Sequence, residues 1–104
     1  MLELKDDNFA KEVKEHKGLV IVDFWAAWCG PCRMMGPVFE NAADECKDLA
    51  KFAKLNVDEA QKTSQEYGVM SIPTLLIFKD GEKVEQMVGV QDLPTIKQKL
   101  ESHK

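Results

Sequence analysis

The apolar positions of this chain fall into two kinds of segment. Leu19–Trp25 and Thr74–Phe78 carry apolar side chains at odd and even positions alike. Strands of that kind are covered on both faces, so both are expected at the centre of a sheet flanked by helices. Within the first run, alternation sends Leu19, Ile21, Asp23 and Trp25 to one face and Val20, Val22 and Phe24 to the other. Other segments show helical spacing. Phe9 and Val13 give the buried stripe of a helix from about Asn8 to Lys17, opened by the capping side chains of Asp6, Asp7 and Asn8 and stopped at Gly18. Met35, Val38, Phe39, Ala42, Cys46 and Leu49 mark a long helix from Pro31 to about Asp48, with Pro37 predicting a kink inside it. Asp58–Tyr67 is a weaker helix, ended by Gly68. Leu93, Ile96 and Leu100 form the inner face of a last helix, with Asp92 as its cap and Pro94 in its first turn.

The remaining strands are Leu2–Leu4, Lys51–Val57 and Lys83–Val88, the last entered through the hairpin signal Asp80-Gly81. The order β-α-β-α-β-α-β-β-α predicts an α/β fold with a parallel first half and an antiparallel closing hairpin. It gives a central mixed sheet of about five strands between two layers of helices, four in all. With no linker or repeat, residues 1–104 read as one domain.

Composition narrows the function classes. A net charge of −4 without any Lys/Arg-rich block argues against nucleic-acid binding. The first residues, Met1-Leu2-Glu3-Leu4-Lys5, lack the basic-then-apolar pattern of a signal peptide, and no apolar run approaches the ~20 residues of a membrane span. A soluble cytosolic protein is expected. Three cysteines are an odd and sparse count, unlike a secreted disulfide scaffold. His16 and His103 read as surface residues near helix ends.

The chemistry concentrates where the first doubly apolar strand gives way to the long helix, at Cys29-Gly30-Pro31-Cys32. A helix start offers free N–H groups and a positive dipole end, both of which stabilise a thiolate. Structural zinc needs four ligands, and beyond this pair the chain offers only Cys46, His16 and His103, with Cys46 better placed in the core. No metal is therefore expected. For dithiol exchange the spacing is apt: Cys29 at the exposed entrance attacks as thiolate, and Cys32, one turn in and shielded, resolves the mixed disulfide. Asp23 shares a face with two aliphatic residues and a tryptophan. Desolvation there raises its pKa toward neutrality and makes it the candidate to take the proton from Cys32.

Phe24-Trp25-Ala26-Ala27-Trp28-Cys29-Gly30-Pro31-Cys32 resembles the active-site signature of the thioredoxin family. The resemblance continues through Val22-Asp23-Phe24, Lys54-Leu55-Asn56-Val57-Asp58, Ser71-Ile72-Pro73-Thr74, Phe78-Lys79-Asp80-Gly81 and Gly89. It implies the thioredoxin fold, reduction of protein disulfides by a monomer with no bound cofactor beyond the Cys29–Cys32 disulfide, and recharging by a reductase drawing on NADPH. By resemblance Cys29 is the nucleophile, Cys32 the resolving cysteine, Asp23 the buried acid and Lys54 the lysine beside it. Gly30-Pro31 is the tuning dipeptide of the reducing members, and Pro73 is a cis-proline facing the cysteines. Trp28, Ile72, Gly89 and Val90 join Gly30 and Pro31 in an apolar docking surface. The other reading compatible with that surface is a redox-independent interaction module.

Overall fold

A computed structural model describes residues 1–104. Five strands, β1 (Leu2–Leu4), β2 (Leu19–Trp25), β3 (Lys51–Asn56), β4 (Thr74–Lys79) and β5 (Glu82–Val88), form one sheet in the order β1-β3-β2-β4-β5. β1 and β2 run parallel to β3, whereas β4 runs antiparallel to β2 and β5. The helices are α1 (Ala10–Lys14, a single wide π-helical turn), α2 (Gly30–Glu45), α3 (Gln61–Glu66) and α4 (Leu93–His103). β2 occupies the middle of the sheet, as its two apolar faces require.

The alternation in β2 divides the core. Val20, Val22 and Phe24 pack with Phe9 and Val13 of the α1 segment, Ala60 before α3, and Leu76 and Phe78 of β4. Leu19 and Ile21 face the other way, against Met35, Phe39 and Ala42 of α2, Ile96 and Leu100 of α4, and Cys46. Asp23, with the parity of Leu19 and Ile21, belongs to the α2 side. The three-layer arrangement follows from burying two apolar sheet faces with helices.

Several expected elements are shorter, for identifiable reasons. The first helix does not run from Asn8 to Lys17 on caps from Asp6 and Asp7. Asn8 Oδ1 instead accepts from Lys5 N at 2.6 Å to close a preceding turn. Asp6 turns across to α3, accepting from Thr63 N at 2.9 Å and Thr63 Oγ1 at 2.8 Å, with Lys62 N at 3.3 Å. α3 begins at Gln61 rather than Asp58 because Glu59 N and Ala60 N both donate to Asn56 O in a turn that ends β3. α2 ends at Glu45, short of Asp48, and continues through Pro37. His103 is not simply a surface residue, since its Nε2 lies 2.9 Å from Glu85 Oε2 on β5.

The end of the sheet remote from the cysteines is tied together by a turn. Asp80 and Gly81 both have positive φ, 51° and 87°, as a tight hairpin demands. Asp80 N donates to Gly18 O at 3.0 Å, and Gly18 N donates to Asp80 Oδ1 at 2.8 Å. A Cβ on Gly81 would overlap the main-chain carbonyl oxygen of Lys14. Gly81→Ala thus meets backbone strain and a backbone clash together. It is expected to destabilise the fold by about 2 kcal/mol or more in urea unfolding.

Candidate active site

β2 ends at Trp25, and α2 begins at Gly30 after a four-residue connection. Cys29 N donates to Ala26 O at 3.2 Å in the connecting turn, and Cys29 takes the N-cap position with extended backbone, φ −91° and ψ 113°. Pro31 has no N–H to offer, so the first helical donor to reach the cap is Cys32 N, 3.2 Å from Cys29 Sγ. The sulfurs of Cys29 and Cys32 are bonded, with their Cα atoms 5.3 Å apart across one turn. An exposed Cys29 and a shielded Cys32 were expected. In the disulfide form the two are 5% and 6% exposed, so accessibility does not separate them. The cap does, because a backbone donor points at one sulfur and not at the other.

Facing Cys29 is the segment before β4. The Ile72–Pro73 peptide is cis, and Ile72 O lies 3.8 Å from Cys29 Sγ. Gly89 N donates to Pro73 O at 2.8 Å, which brings the end of β5 alongside the proline. Gly89 itself has φ of 90°, a left-handed value that a side chain resists. The structure thereby brings Trp28 and Gly30, Ile72 and Pro73, and Gly89 with Val90 to the disulfide end from three separate chain segments. Trp28, Gly30, Pro31 and Val90 are exposed, Ile72 and Gly89 half-buried, and Pro73 buried.

Two site-shaping residues escaped the sequence reading. Trp28 Nε1 donates to Asp58 Oδ2 at 2.9 Å, holding an indole that is 68% exposed. The signal was available in the strand register: Trp25 pairs with Asn56 in parallel, so the residues just beyond leave the sheet at the same end. Gln91 Nε2 donates to the carbonyls of Val88 and Gly89, each at 3.2 Å, and its N–H approaches Met35 Sδ at 3.3 Å. No pattern in the chain announced that tie, because a glutamine after a glycine has many other uses.

Asp23 is 1% exposed, and its Oδ1 has no hydrogen-bond partner. Burial pushes its carboxyl up to about 7, against the opposing pull of the Lys54 ammonium. Lys54 is its register partner on β3, and Lys54 Nζ lies 4.7 Å from the centroid of the Trp25 ring. A groove of about 330 Å³, lined by Trp25, Ala26, Ala27, Cys32, Arg33, Gly36 and Lys54, runs along the side of the disulfide that Cys32 occupies. A somewhat larger groove of about 410 Å³ between Met1, Glu40, Asp44 and Phe52 contains no cysteine. The soft ligands considered for zinc are not brought together: Cys46 is buried between α2 and α4, and His103 pairs with Glu85. Chemically, the site can hold a thiolate at a helix start, and the strand that feeds it carries a carboxyl that exchanges its proton near neutral pH.

Comparison with known proteins places this geometry. Residues 1–102 match the family model described as Thioredoxin. A protein named thioredoxin 2 from Chlorobaculum tepidum is 50% identical over 101 residues, covering 97% of this chain and 93% of its own length. Thioredoxin of Bacillus subtilis is 48% identical over 98 residues, covering 94% and 92%. Thioredoxin of Alicyclobacillus acidocaldarius is 53% identical over 88 residues, covering 85% and 83%.

The raised pKa of Asp23 has a definite consequence for stability. Between the unfolded carboxylate value of ~3.9 and about 7, the native protein holds a proton that the unfolded chain has released. Stability from this group is full below ~3.9 and is lost as pH rises through about 7. Asp23→Ala removes that loss. Its stability relative to the parent should therefore improve by roughly 2–3 kcal/mol between pH 5 and pH 8 in urea unfolding. A difference independent of pH would show that Asp23 ionises like an ordinary surface carboxylate.

Proposed function

We propose a specific course of thiol–disulfide exchange for this chain, which belongs to the thioredoxin family and is a protein dithiol–disulfide oxidoreductase. Cys29 attacks and Cys32 releases. The observation that carries this order is the hydrogen bond from Cys32 N to Cys29 Sγ at the start of α2. An unperturbed thiol of pKa ~8.5 is only about 3% thiolate at pH 7, so a backbone donor and a helix dipole aimed at one sulfur select it as the nucleophile.

In the reduced protein the Cys29 thiolate attacks one sulfur of a target disulfide. The target S–S bond breaks, and the departing target sulfur leaves as thiolate and takes up a proton. Cys32 then gives its proton toward Asp23 and attacks Cys29 Sγ. The mixed disulfide breaks, the second target sulfur leaves and is protonated, and the Cys29–Cys32 disulfide closes. Two electrons and two protons have passed to the target. Burial of Asp23 supports its part, since a carboxyl near 7 takes a proton at the working pH and returns it readily. Lys54, register partner of Asp23, keeps that carboxyl from rising further. Trp28, Ile72, Pro73, Gly89 and Val90 receive the target chain, with Ile72 presenting its main chain beside Cys29. Gly30 and Pro31 keep the first turn free of competing donors and bulk.

The redox-active disulfide is the resident group of the family, whose members act on disulfide-containing proteins and are served by a reductase. The finer proposal is that this chain is re-reduced by an NADPH-drawing reductase, acts as a monomer and works in the cytosol, a setting that suits its sparse cysteine usage.

The order of attack is testable by substitution. Cys29→Ser should lower insulin-disulfide reduction to the uncatalysed background. Cys32→Ser should still attack and should accumulate mixed disulfides, visible as adducts on non-reducing gels. Turnover retained by Cys29→Ser, or adducts forming on Cys32, would reverse the assignment.

A further inference from the structure

Most of the large apolar residues left exposed lie at the end of the molecule that carries the disulfide: Trp28, Met34, Met70, Val88 and Val90. Two of them are methionines, 67% and 95% exposed. Met34 stands one helical turn after Gly30, on the outward face of α2 that Gly30 begins. Met70 lies two residues before Ile72, whose carbonyl faces Cys29 Sγ, in the irregular segment that leads into β4, and it stands free where Ile72 packs half-buried. The docking surface implied by resemblance contains neither methionine.

One exposed apolar side chain is ordinary on a protein surface, but several gathered at one end mark an interaction site. A methionine is also the apolar side chain best able to adapt to unlike partners, because it is unbranched and polarisable. We propose that Met34 and Met70 are contact residues for the apolar segment beside a target's disulfide, and that hydrogen peroxide weakens docking by converting their thioethers to sulfoxides. This rests on the exchange reading above. In the step, a sulfur lone pair attacks one peroxide oxygen and the O–O bond breaks. An S–O bond forms, the other oxygen leaves as water with the transferred proton, and the sulfur is oxidised by two electrons.

The arrangement directs that chemistry to these positions. In the disulfide form the active-site sulfurs are bonded to each other, and Cys46, Met35 and Met87 are buried. Met34 and Met70 stand in the open, with Met1 the only other exposed thioether. A sulfoxide is polar and chiral, so it removes apolar contact at the rim while leaving the strand–helix junction untouched.

The test begins with the disulfide form treated with hydrogen peroxide, freed of peroxide and checked for sulfoxides by peptide mass spectrometry. Insulin reduction should then show a KM raised about five- to tenfold, with kcat nearly unchanged. Attack of the reduced protein on 5,5′-dithiobis(2-nitrobenzoate), too small to need the rim, should keep its rate. Met70→Gln should raise the insulin KM without peroxide. In a protein carrying Met34→Leu and Met70→Leu, the ratio of KM after and before peroxide should fall to about one. The proposal is overturned if the sulfoxide-bearing parent keeps its KM. It is equally overturned if the double leucine protein shows the same rise, or if the small-disulfide rate falls with the insulin rate. Failure of the exchange reading itself would appear separately, as turnover by Cys29→Ser.

Discussion

The reactive end of this protein depends on one junction, where β2 stops and the first free donor of α2 meets a sulfur. A helix start is usually closed by a hydroxyl or carboxylate, which accepts the orphan N–H and does nothing more. Cys29 fills the same position and accepts from Cys32 N, but its acceptor atom can also form and break bonds. Pro31 sharpens the arrangement by withholding an N–H that would otherwise face the same turn. The junction is positioned by the sheet. β2 is bonded to β3 on one side and β4 on the other, and Val57 N donates to Trp25 O at 2.9 Å where the strand ends. Little at this point can shift without disturbing the centre of the fold.

That same central strand carries the most costly group in the molecule. Asp23 lies on the α2 side of the sheet between Lys54 of β3 and Leu75 of β4, nearly sealed from solvent and with one oxygen unpartnered. Burying a carboxyl this way lowers stability once it ionises, which is why its proton is held to about 7. Lys54 restrains the shift without abolishing it. Its ammonium sits over the Trp25 ring, in the layer that also lines the groove beside Cys32. In the proposed exchange, stability and proton transfer are set against each other at this one residue, in the strand at the centre of the sheet.

The residues that make this site were unequally visible in the chain. The two faces of β2, the burial of Asp23 and the dithiol at a helix start all follow from period and position, because each is decided within a single element. Trp28 with Asp58, Asp6 with Thr63 and His103 with Glu85 join residues far apart in sequence, and only the strand register brings them together. Asp6 shows the difficulty well. Its side chain suits the start of its own helix, and the sequence offers no reason for it to cap α3 instead. The cis peptide before Pro73 came from resemblance, since residue types alone do not choose between the isomers.

The two ends of the sheet have been finished in opposite ways, and the contrast bears on what can react. At the remote end, Gly18 and Asp80 exchange hydrogen bonds and Gly81 packs directly on the Lys14 carbonyl. At the reactive end, the cysteines are nearly buried but ringed by exposed apolar side chains. A target cannot simply meet a protruding thiol. In the proposed exchange it lays a surface disulfide against the ring, so that apolar contact with Trp28 and its neighbours accompanies approach to Cys29. Disulfides inside a folded core cannot make that approach. On that proposal, discrimination between exposed and buried disulfides needs no recognition of sequence. It follows from a reactive sulfur set slightly below the surface that surrounds it.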